Sequence, residues 1–357
     1  MTVFNSKNRG YVESKYPLFL GQQLGLVDTI RVNYPELEEL YQKQVSQIWN
    51  ETEVSLVQDK QDMLVTSKDT VDLMVKTISW QHLADSVASR SISGLLLPHI
   101  TNPELEMLVN VWSFFETIHA RTYSHIVKQT FIDPVAALDE TYCSTETLIR
   151  SENIVAAFDR LQNIPKDAPD GEKRQAIVLA FSALFALEAI AFMSSFAVTF
   201  GIAETGVFQG IGQLVTLICR DELLHTRMDY AILKILKNDP QWKQTIAEMS
   251  GEIKDVLDAV VKQELEWADY LFSEGRQVVG LTAELLKEYT LYMSKPVYDS
   301  MGISFDFEVI KENPCPYMEK YIDSSKVQVA AQELQLTAYK IGAIKDDSEN
   351  IDLDFDL

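Results

Sequence analysis

The sequence predicts an all-α protein, and three observations lead to this expectation. Apolar residues recur at three- and four-residue intervals along most of the 357-residue chain, with little of the alternation that marks strands. Glycine and proline, 14 and 11 in number, mostly separate these periodic segments. A long segment with almost no charge is of the kind that forms the central helix of a bundle.

One helix has a clear start signal in the sequence. In the segment from Thr101, Asn102 can cap a helix, Pro103 suits its first turn, and Glu104 complements the helix dipole. A long helix is therefore predicted from this point to about Thr130. The periodicity predicts further helices over residues 35–50, 67–90, 173–203, 206–237, 241–275 and 281–298.

The segment from Ala176 to Ala203 contains Glu188 as its only charged side chain. It exceeds the roughly 20 residues that a bilayer requires. A fully apolar helix can equally be the central member of a bundle, and an unpaired acid at mid-membrane is expensive. The partner of Glu188 decides between the two interpretations, and we expect no membrane span.

The sequence contains no internal repeat and no long linker that would divide it into domains. We therefore predict a single helical domain over residues 1–340. The segment 341–357 differs, because its last thirteen residues mix six acids with Ile351, Leu353, Phe355 and Leu357. Composition alone favours a solvated acidic tail. The alternative is a flexible docking peptide whose apolar residues enter a groove on a partner protein.

The overall charge limits the classes of partner. A net charge of -22, from 31 basic and 53 acidic side chains, argues against a nucleic-acid-binding protein. The chain has three widely spaced cysteines, Cys143, Cys219 and Cys315. Their number and spacing predict neither a disulfide framework nor a zinc–thiolate site. The first twenty residues lack the apolar run of a signal peptide, so we expect a cytoplasmic protein.

Two copies of Glu-x-x-His carry the candidate chemistry, Glu116-Thr-Ile-His119 and Glu222-Leu-Leu-His225. Residues three apart on a helix share a face, so each pair can bind the same metal ion. A single copy is more often a surface pair or an ordinary buried histidine. Two copies on two helices match the pattern of a dinuclear metal site inside a helical bundle.

Such a site needs two further acids from two other helices, and Glu188 and Asp85 are the candidates. A buried Glu188 without a partner would cost several kcal/mol, which metal ligation avoids. Asp85 lies near the end of an earlier helix and would otherwise be interpreted as an exposed acid or cap. Four carboxylates and two imidazoles neutralise two divalent ions, and these ligands suit iron or manganese better than zinc.

The segments Ser113–Tyr123, Ala186–Phe192 and Arg220–His225 resemble the small subunit of class Ia ribonucleotide reductases. The resemblance implies a ferritin-like helical bundle that forms a homodimer. It also implies two iron ions per chain, with manganese as the alternative, which react with O2 and oxidise a tyrosine to a stable radical. The implied metal ligands are Asp85, Glu116, His119, Glu188, Glu222 and His225.

Tyr123 matches the radical tyrosine of this family. It lies four residues after His119, and so returns to the same helix face one turn later. Phe192, Phe196 and Ile218 match the family's apolar pocket around the radical, which keeps water away. Without the resemblance, all four would be interpreted as ordinary core residues.

The resemblance also implies a route for the oxidising equivalent to a separate large subunit, which binds the ribonucleotides. Trp49 matches a tryptophan linked through Asp221 and His119 to the metals, and Tyr339 and Glu333 match tail residues that serve the transfer. Without the resemblance, Trp49 would be interpreted as a packed tryptophan and Asp221 as a buried acid. Tyr339 would be interpreted as a tail tyrosine and Glu333 as a surface glutamate. The isolated chain is therefore expected to reduce no nucleotide.

Two other functions use the same ligands. A di-iron oxidase or oxygenase of the same architecture would act directly on a small organic substrate, and would need neither Trp49 nor a tail carrying Tyr339. A metal-storage or structural bundle would bind metal but form no radical. The sequence also departs from the family at Ala191, where many relatives carry Arg, at Cys219, where they carry Ala, and at Ala331, where they often carry Pro.

Overall fold

The computed structural model describes residues 4–10, 16–22, 25–27 and 29–322, and this part of the chain is mostly helical. Its α-helices are α1 (Pro35–Val45), α2 (Val57–Val65), α3 (Lys68–Ser91), α4 (Pro103–Thr130), α5 (Pro134–Cys143), α6 (Thr145–Gln162), α7 (Asp170–Ala186), α8 (Met193–Ala203), α9 (Gln209–Asn238), α10 (Pro240–Glu248), α11 (Ser250–Leu271), α12 (Ala283–Met301) and α13 (Glu319–Ile322). Two π-helical turns, Ile92–Leu96 and Leu187–Phe192, follow α3 and α7. The β-pairing described consists of isolated bridges, so the all-α prediction is confirmed.

The start signal at Asn102 functions as predicted. Its side-chain oxygen accepts a hydrogen bond of 2.9 Å from the backbone N–H of Leu105, and Pro103 is the first residue of α4. The other predicted helices correspond to α1, α3, α7 to α8, α9 and α12.

The structure differs from the predicted helices in two places. The helix expected over 241–275 is divided into α10 and α11, because Met249 leaves the helical conformation at φ -91° and ψ 4°. The sequence analysis did not identify α2, α5, α6 and α13. Start signals for α5 and α6 were available, since Asp133 and Ser144 accept hydrogen bonds from the backbones of the first turns of these helices.

The apolar segment forms one continuous helix of 34 residues, Asp170–Ala203, through α7, the π-helical turn Leu187–Phe192 and α8. It is long and apolar enough to cross a membrane, but its most apolar window is completely buried inside the molecule. Complete burial by protein is the property of a core helix. Helices α9, α11 and α12 pack against it, and α3 packs on its α8 part.

The start of α9 is capped by acids from α2. Asp62 accepts a hydrogen bond of 2.8 Å from the backbone N–H of Phe208, and Asp59 accepts one of 2.8 Å from that of Ile211. Phe208 has a left-handed backbone, with φ 54°, and α9 has no side-chain cap of its own. A Cβ at Gly210 would lie only 2.8 Å from the carbonyl oxygen of Ser55, so glycine permits this close approach.

A buried ion pair fastens α6 to α11 beside the core helix. The Nε atom of Arg150 lies 2.6 Å from Oε1 of Glu264, and both side chains are buried. The guanidinium group lies 3.3 Å from the ring centre of Trp80, and its Nη2 donates to the carbonyl oxygen of Ala191 at 3.3 Å. Arg150 of α6 thus contacts both α11 and the backbone of the core helix.

Candidate metal centre

Four helical segments deliver carboxylates and imidazoles to one point in the core. Helix α3 supplies Asp85, α4 supplies Glu116 and His119, the π-helical turn Leu187–Phe192 supplies Glu188, and α9 supplies Glu222 and His225. All six side chains are at most 1% exposed. The structure therefore brings together all six residues that the sequence predicted as ligands.

The two Glu-x-x-His pairs form the centre of this cluster. One potential ligand atom from each of Glu116, His119, Glu222 and His225 lies within 4.8 Å of the others. Each pair shares a helix face, as the spacing of three residues requires. The two pairs face each other because α4 and α9 pack together.

Each glutamate spans the two histidines, with a different oxygen toward each. The Nδ1 atom of His119 lies 3.7 Å from Oε2 of Glu116 and 3.0 Å from Oε1 of Glu222. The Nδ1 atom of His225 lies 2.8 Å from Oε1 of Glu116 and 3.3 Å from Oε2 of Glu222. These four residues would therefore be able to hold a pair of metal ions.

Asp85 and Glu188 extend the cluster. Burial, followed by the charges of Glu222 and Glu116, raises the pKa of Asp85 well above its usual value. The pKa of Glu188 is also raised well above its usual value. Burial is the largest cause, followed by the charges of Asp229, Glu222 and Glu116. For Glu116 the opposite holds, because the facing histidines outweigh burial and lower the pKa of its carboxyl group. Two positive ions would remove the repulsion among these acids.

The cluster contains polar atoms for which the described residues provide no hydrogen-bond partner. They include both oxygens of Asp85, both oxygens of Glu188 and Oε2 of Glu116. Buried polar atoms are normally paired, and these are the donor types that iron and manganese bind. The residues present therefore fit a pair of divalent metal ions.

Asp221 connects His119 to Trp49, as the sequence analysis expected. The indole Nε1 of Trp49 donates to Oδ2 of Asp221 at 2.7 Å, and Nε2 of His119 lies 3.3 Å from the same oxygen. The rings of Trp49 and His119 are stacked at 6.2 Å. An N–H at Nε2 of His119 leaves the lone pair of Nδ1 directed at the two glutamates, as metal ligation requires.

Trp112 has a similar position on the His225 side, and the sequence analysis did not identify it. Its indole Nε1 donates to Oε1 of Glu116 at 3.1 Å, and its ring lies 5.2 Å from that of His225. The signal was available, because Trp112 precedes Glu116 by one helical turn.

Tyr123 lies on α4 in a completely buried position. Burial, followed by the charge of Asp85, raises the pKa of its phenol well above 10, and its hydroxyl group has no hydrogen-bond partner among the described residues. Phe192, Phe196 and Ile218 are each 0% exposed. Cys219 is also buried, and burial raises the pKa of its thiol, so this thiol is neutral at physiological pH.

Tyr339 and Glu333 lie outside the described residues, as do the departure at Ala331 and the tail over 341–357.

The sequence analysis also did not identify Asp229, which is fully buried on α9 and lies beside Glu188.

The fold and the site together define a class of protein, the helical bundles with a candidate dinuclear site of carboxylates and histidines. Residues 27–314 match the family model described as "Ribonucleotide reductase, small chain". The chain belongs to this family.

Relatives and solved structures agree with this assignment. The chain is 31% identical over 359 residues to ribonucleoside-diphosphate reductase 1 subunit beta of Salmonella typhimurium, with 95% of each chain covered. The corresponding subunit of Enterobacteria phage T4 is 28% identical, over 98% of this chain and 97% of the phage protein. The R2 subunit of ribonucleotide reductase from Clostridium botulinum has a TM-score of 0.77 at 22% identity, covering 90% of this chain and 98% of that chain.

A dimanganese(II) form of NrdF from Streptococcus sanguinis also shares the fold, with a TM-score of 0.69 at 19% identity, and covers 84% of this chain and 99% of that chain. The comparisons support the ferritin-like bundle and the role of small subunit in a ribonucleoside-diphosphate reductase. They give no support to a self-contained oxidase.

Proposed function

We propose that this chain generates and stores a tyrosyl radical on Tyr123 for ribonucleotide reduction by a large subunit. The observation that carries the proposal is the pair of glutamates, Glu116 and Glu222, that each span His119 and His225. Together with Asp85 and Glu188, these residues would hold two iron ions, or two manganese ions.

The metal pair, when bound, supplies the oxidising power obtained from O2. The donor set of carboxylate oxygens and imidazole nitrogens accepts either iron or manganese. We propose iron as the first choice because Tyr123 and all six ligand types of the class Ia pattern are present.

Tyr123 would store the oxidising equivalent by losing its phenolic proton and one electron, which the O2-oxidised metal pair would accept. Because its pKa is raised well above 10, the phenol keeps its proton until the electron leaves. After burial, the charge of Asp85 affects this phenol most. In the metal-loaded chain, where Asp85 would be ionised as a ligand, it is the proposed acceptor of the proton. Phe192, Phe196 and Ile218 exclude water from the stored radical.

Trp49, Asp221 and His119 form the first part of the proposed route to the surface. The hydrogen bonds from Trp49 and His119 to one oxygen of Asp221 couple the indole to the ligand set. Tyr339 and Glu333 are proposed to continue the transfer to the large subunit, which reduces ribonucleotides to deoxyribonucleotides.

The assembly around this chain completes the proposal. We propose a cytoplasmic homodimer, with residues 1–340 as one ferritin-like domain and residues 341–357 as a flexible docking tail for the large subunit. The excess of acidic residues argues against nucleic acid as a partner.

Electron paramagnetic resonance tests the radical assignment. The chain, Tyr123→Phe and the control Tyr289→Phe are loaded with ferrous iron, exposed to O2 and assayed for metal content. Tyr289 is a matched control, because it is fully buried and its hydroxyl group also lacks a partner among the described residues.

We expect a tyrosyl signal in the wild-type chain and in Tyr289→Phe, and none in Tyr123→Phe, with equal metal content in all three. A signal that persists in Tyr123→Phe would disprove the assignment. Iron uptake without any signal would point to manganese or to an oxidase, and the loading would be repeated with manganese and an external oxidant.

A further inference from the structure

His82 connects three helices through hydrogen bonds at both of its ring nitrogens. Its Nε2 lies 2.9 Å from Oγ of Ser124 on α4, and its Nδ1 lies 3.2 Å from the phenolic oxygen of Tyr142 on α5. His82 itself is half-buried on α3. The sequence analysis did not identify these three residues, because their contact depends on the packing of α4 and α5 against α3.

The hydrogen bonds fix the protonation state of this imidazole. The hydroxyl group of Ser124 donates to the carbonyl oxygen of Ala120 at 3.0 Å, so its oxygen accepts from His82. Nε2 therefore carries the proton, and the lone pair of Nδ1 accepts from the hydroxyl group of Tyr142. Burial, followed by the charge of Lys128, lowers the pKa of His82, so the ring is neutral at pH 7.

A base at the hydroxyl group makes the Tyr142 phenol easier to oxidise. A phenol that loses an electron also releases its proton, and a positioned side chain that accepts this proton lowers the barrier. Neutral imidazole is the side chain best suited to that task near pH 7. Tyr142 has this acceptor in place, and its side chain is 40% exposed, so a reductant in solution can reach it.

The same contacts lead from the surface to the proposed radical residue. Ser124 follows Tyr123 in the chain, so two hydrogen bonds and the covalent backbone join the phenol of Tyr142 to Tyr123 without a gap. Tyr123 is 0% exposed, and a bulky reductant cannot touch it directly. A simple fastening of α5 would need a partner for His82, but not an oxidisable group at the exposed end.

We propose that Tyr142 and His82 form a second redox site, through which a one-electron donor in solution reduces the radical stored on Tyr123. This inference rests on the proposed function, because it requires that radical. The donor is any one-electron reductant, small or protein, that can touch the exposed phenol of Tyr142. The site gives the chain a defined place where the stored oxidising equivalent is discharged without the large subunit.

The discharge takes place in two balanced steps. In the first step, Tyr142 gives one electron to the radical on Tyr123 and its phenolic proton to Nδ1 of His82. Tyr123 regains its own proton from Asp85, the proposed acceptor, and is again a phenol. In the second step, the external donor gives one electron to the oxidised Tyr142, and His82 returns the proton. The net change is one electron from the donor to Tyr123, while the proton comes back from Asp85.

The rate at which an external donor removes the tyrosyl signal tests the proposal. Wild type, Tyr142→Phe, His82→Gln and the control Tyr230→Phe are loaded with ferrous iron and O2. They are then mixed anaerobically with hexaammineruthenium(II), a bulky cationic one-electron donor that suits the acidic protein. Electron paramagnetic resonance follows the signal with time. Tyr230 is a matched control, because it is also a surface tyrosine, 49% exposed.

We expect equal initial signals and equal metal content in all four proteins. The signal should decay at least about 10-fold more slowly in Tyr142→Phe and in His82→Gln, because a positioned proton acceptor typically contributes about 100-fold or more and slower routes remain. Tyr230→Phe should decay like the wild type. In D2O the wild-type decay should slow, and the decay of Tyr142→Phe should change less, since it has no phenolic proton to transfer there.

Four outcomes would overturn the inference or its basis. Decay as fast in Tyr142→Phe as in the wild type would disprove the route, while the radical assignment would stand. If this unchanged decay came with a lower unfolding temperature, the residues would only fasten α5. Unchanged decay in His82→Gln alone would contradict the proton transfer, and equally slow decay in Tyr230→Phe would contradict a specific site. Absence of a tyrosyl signal in the wild type would instead disprove the proposed function.

Discussion

Single residues of the candidate metal centre oppose folding when no metal is bound. Asp85 and Glu188 are completely enclosed, and burial together with neighbouring acids raises the pKa of each carboxyl group. The protonated forms are therefore favoured in the folded, metal-free chain. Their retention in the core is consistent with a binding role and would be unfavourable for stability alone.

The metal-free protein should become less stable as the pH rises from 5 to 7.5. A carboxyl group with a raised pKa binds a proton in the folded chain that the unfolded chain has already released above its usual pKa near 4. Each such group lowers the free energy of unfolding by about 1.4 kcal/mol per pH unit until the folded pKa is reached. Asp85→Asn should make this pH dependence weaker.

Urea unfolding of metal-free wild type and Asp85→Asn at pH 5 and pH 7.5 measures the difference. The wild type should lose more stability than the variant between the two pH values, and saturating Mn²⁺ should abolish the difference by binding the ionised acids. An identical pH dependence in the two metal-free proteins would contradict the raised pKa of Asp85.

At the scale of the helices, the sequence predicts the central part of the site and not its surroundings. The Glu-x-x-His spacing places Glu116 with His119 and Glu222 with His225, because positions three apart share a face in any α-helix. The π-helical turn that contains Glu188 could not be predicted, since the apolar segment around it has no local signal for a change of helix type. Contacts between helices, such as Trp112 with His225, likewise depend on packing.

The cap of α9 is another long-range feature that local sequence could not predict. Asp62 and Phe208 are 146 residues apart, yet the Asp62 carboxylate satisfies the backbone N–H at the start of α9. No cap signal precedes α9 in its own sequence, and Phe208 there has a left-handed backbone. The helix that carries Glu222 and His225 is therefore held at its start by a different helix.

Asp62→Ala should lower the free energy of unfolding by about 1–2 kcal/mol, the usual effect of removing a helix cap. The N–H of Phe208 is buried and would lose its acceptor. The matched control is Gln58→Ala, which removes the exposed residue that donates to the other oxygen of Asp62.

Urea unfolding gives the two free energies, and hydrogen exchange at Phe208 and Ile211 reports on the first turn of α9. Gln58→Ala should change the free energy of unfolding by at most about 0.5 kcal/mol, as is typical for surface positions. Equal losses in the two variants, or unchanged exchange in Asp62→Ala, would contradict a capping role.

At the scale of the whole molecule, the proposed function assigns the oxidant and the substrate to different chains. The candidate site lies in the core, and Tyr123, Phe192, Phe196 and Ile218 are each 0% exposed, so a bulky nucleotide cannot reach the proposed radical residue directly. Transfer to the large subunit therefore requires a defined contact between the two proteins. The acidic tail with alternating apolar residues is the proposed contact.

Two sets of tail substitutions distinguish a docking peptide from a solvated acidic tail. The first set replaces the apolar residues with serine, at Ile351, Leu353, Phe355 and Leu357. The second set replaces acids with asparagine, at Asp352, Asp354 and Asp356. Both variants should keep the metal content and the radical signal of the wild type, since none of the substituted residues belongs to the proposed ligands or to the residues around Tyr123.

Ribonucleotide reduction in the presence of the large subunit is the measurement. If the apolar side chains enter a groove, the serine variant should lose nearly all activity. Added in excess, it should also fail to inhibit the wild-type chain, because it cannot compete for the large subunit. The asparagine variant should keep most of its activity and show a weaker salt dependence, because exposed charges contribute mainly to the rate of encounter. Full activity of the serine variant would show that the tail is a solvated extension and that the large subunit binds elsewhere on this chain.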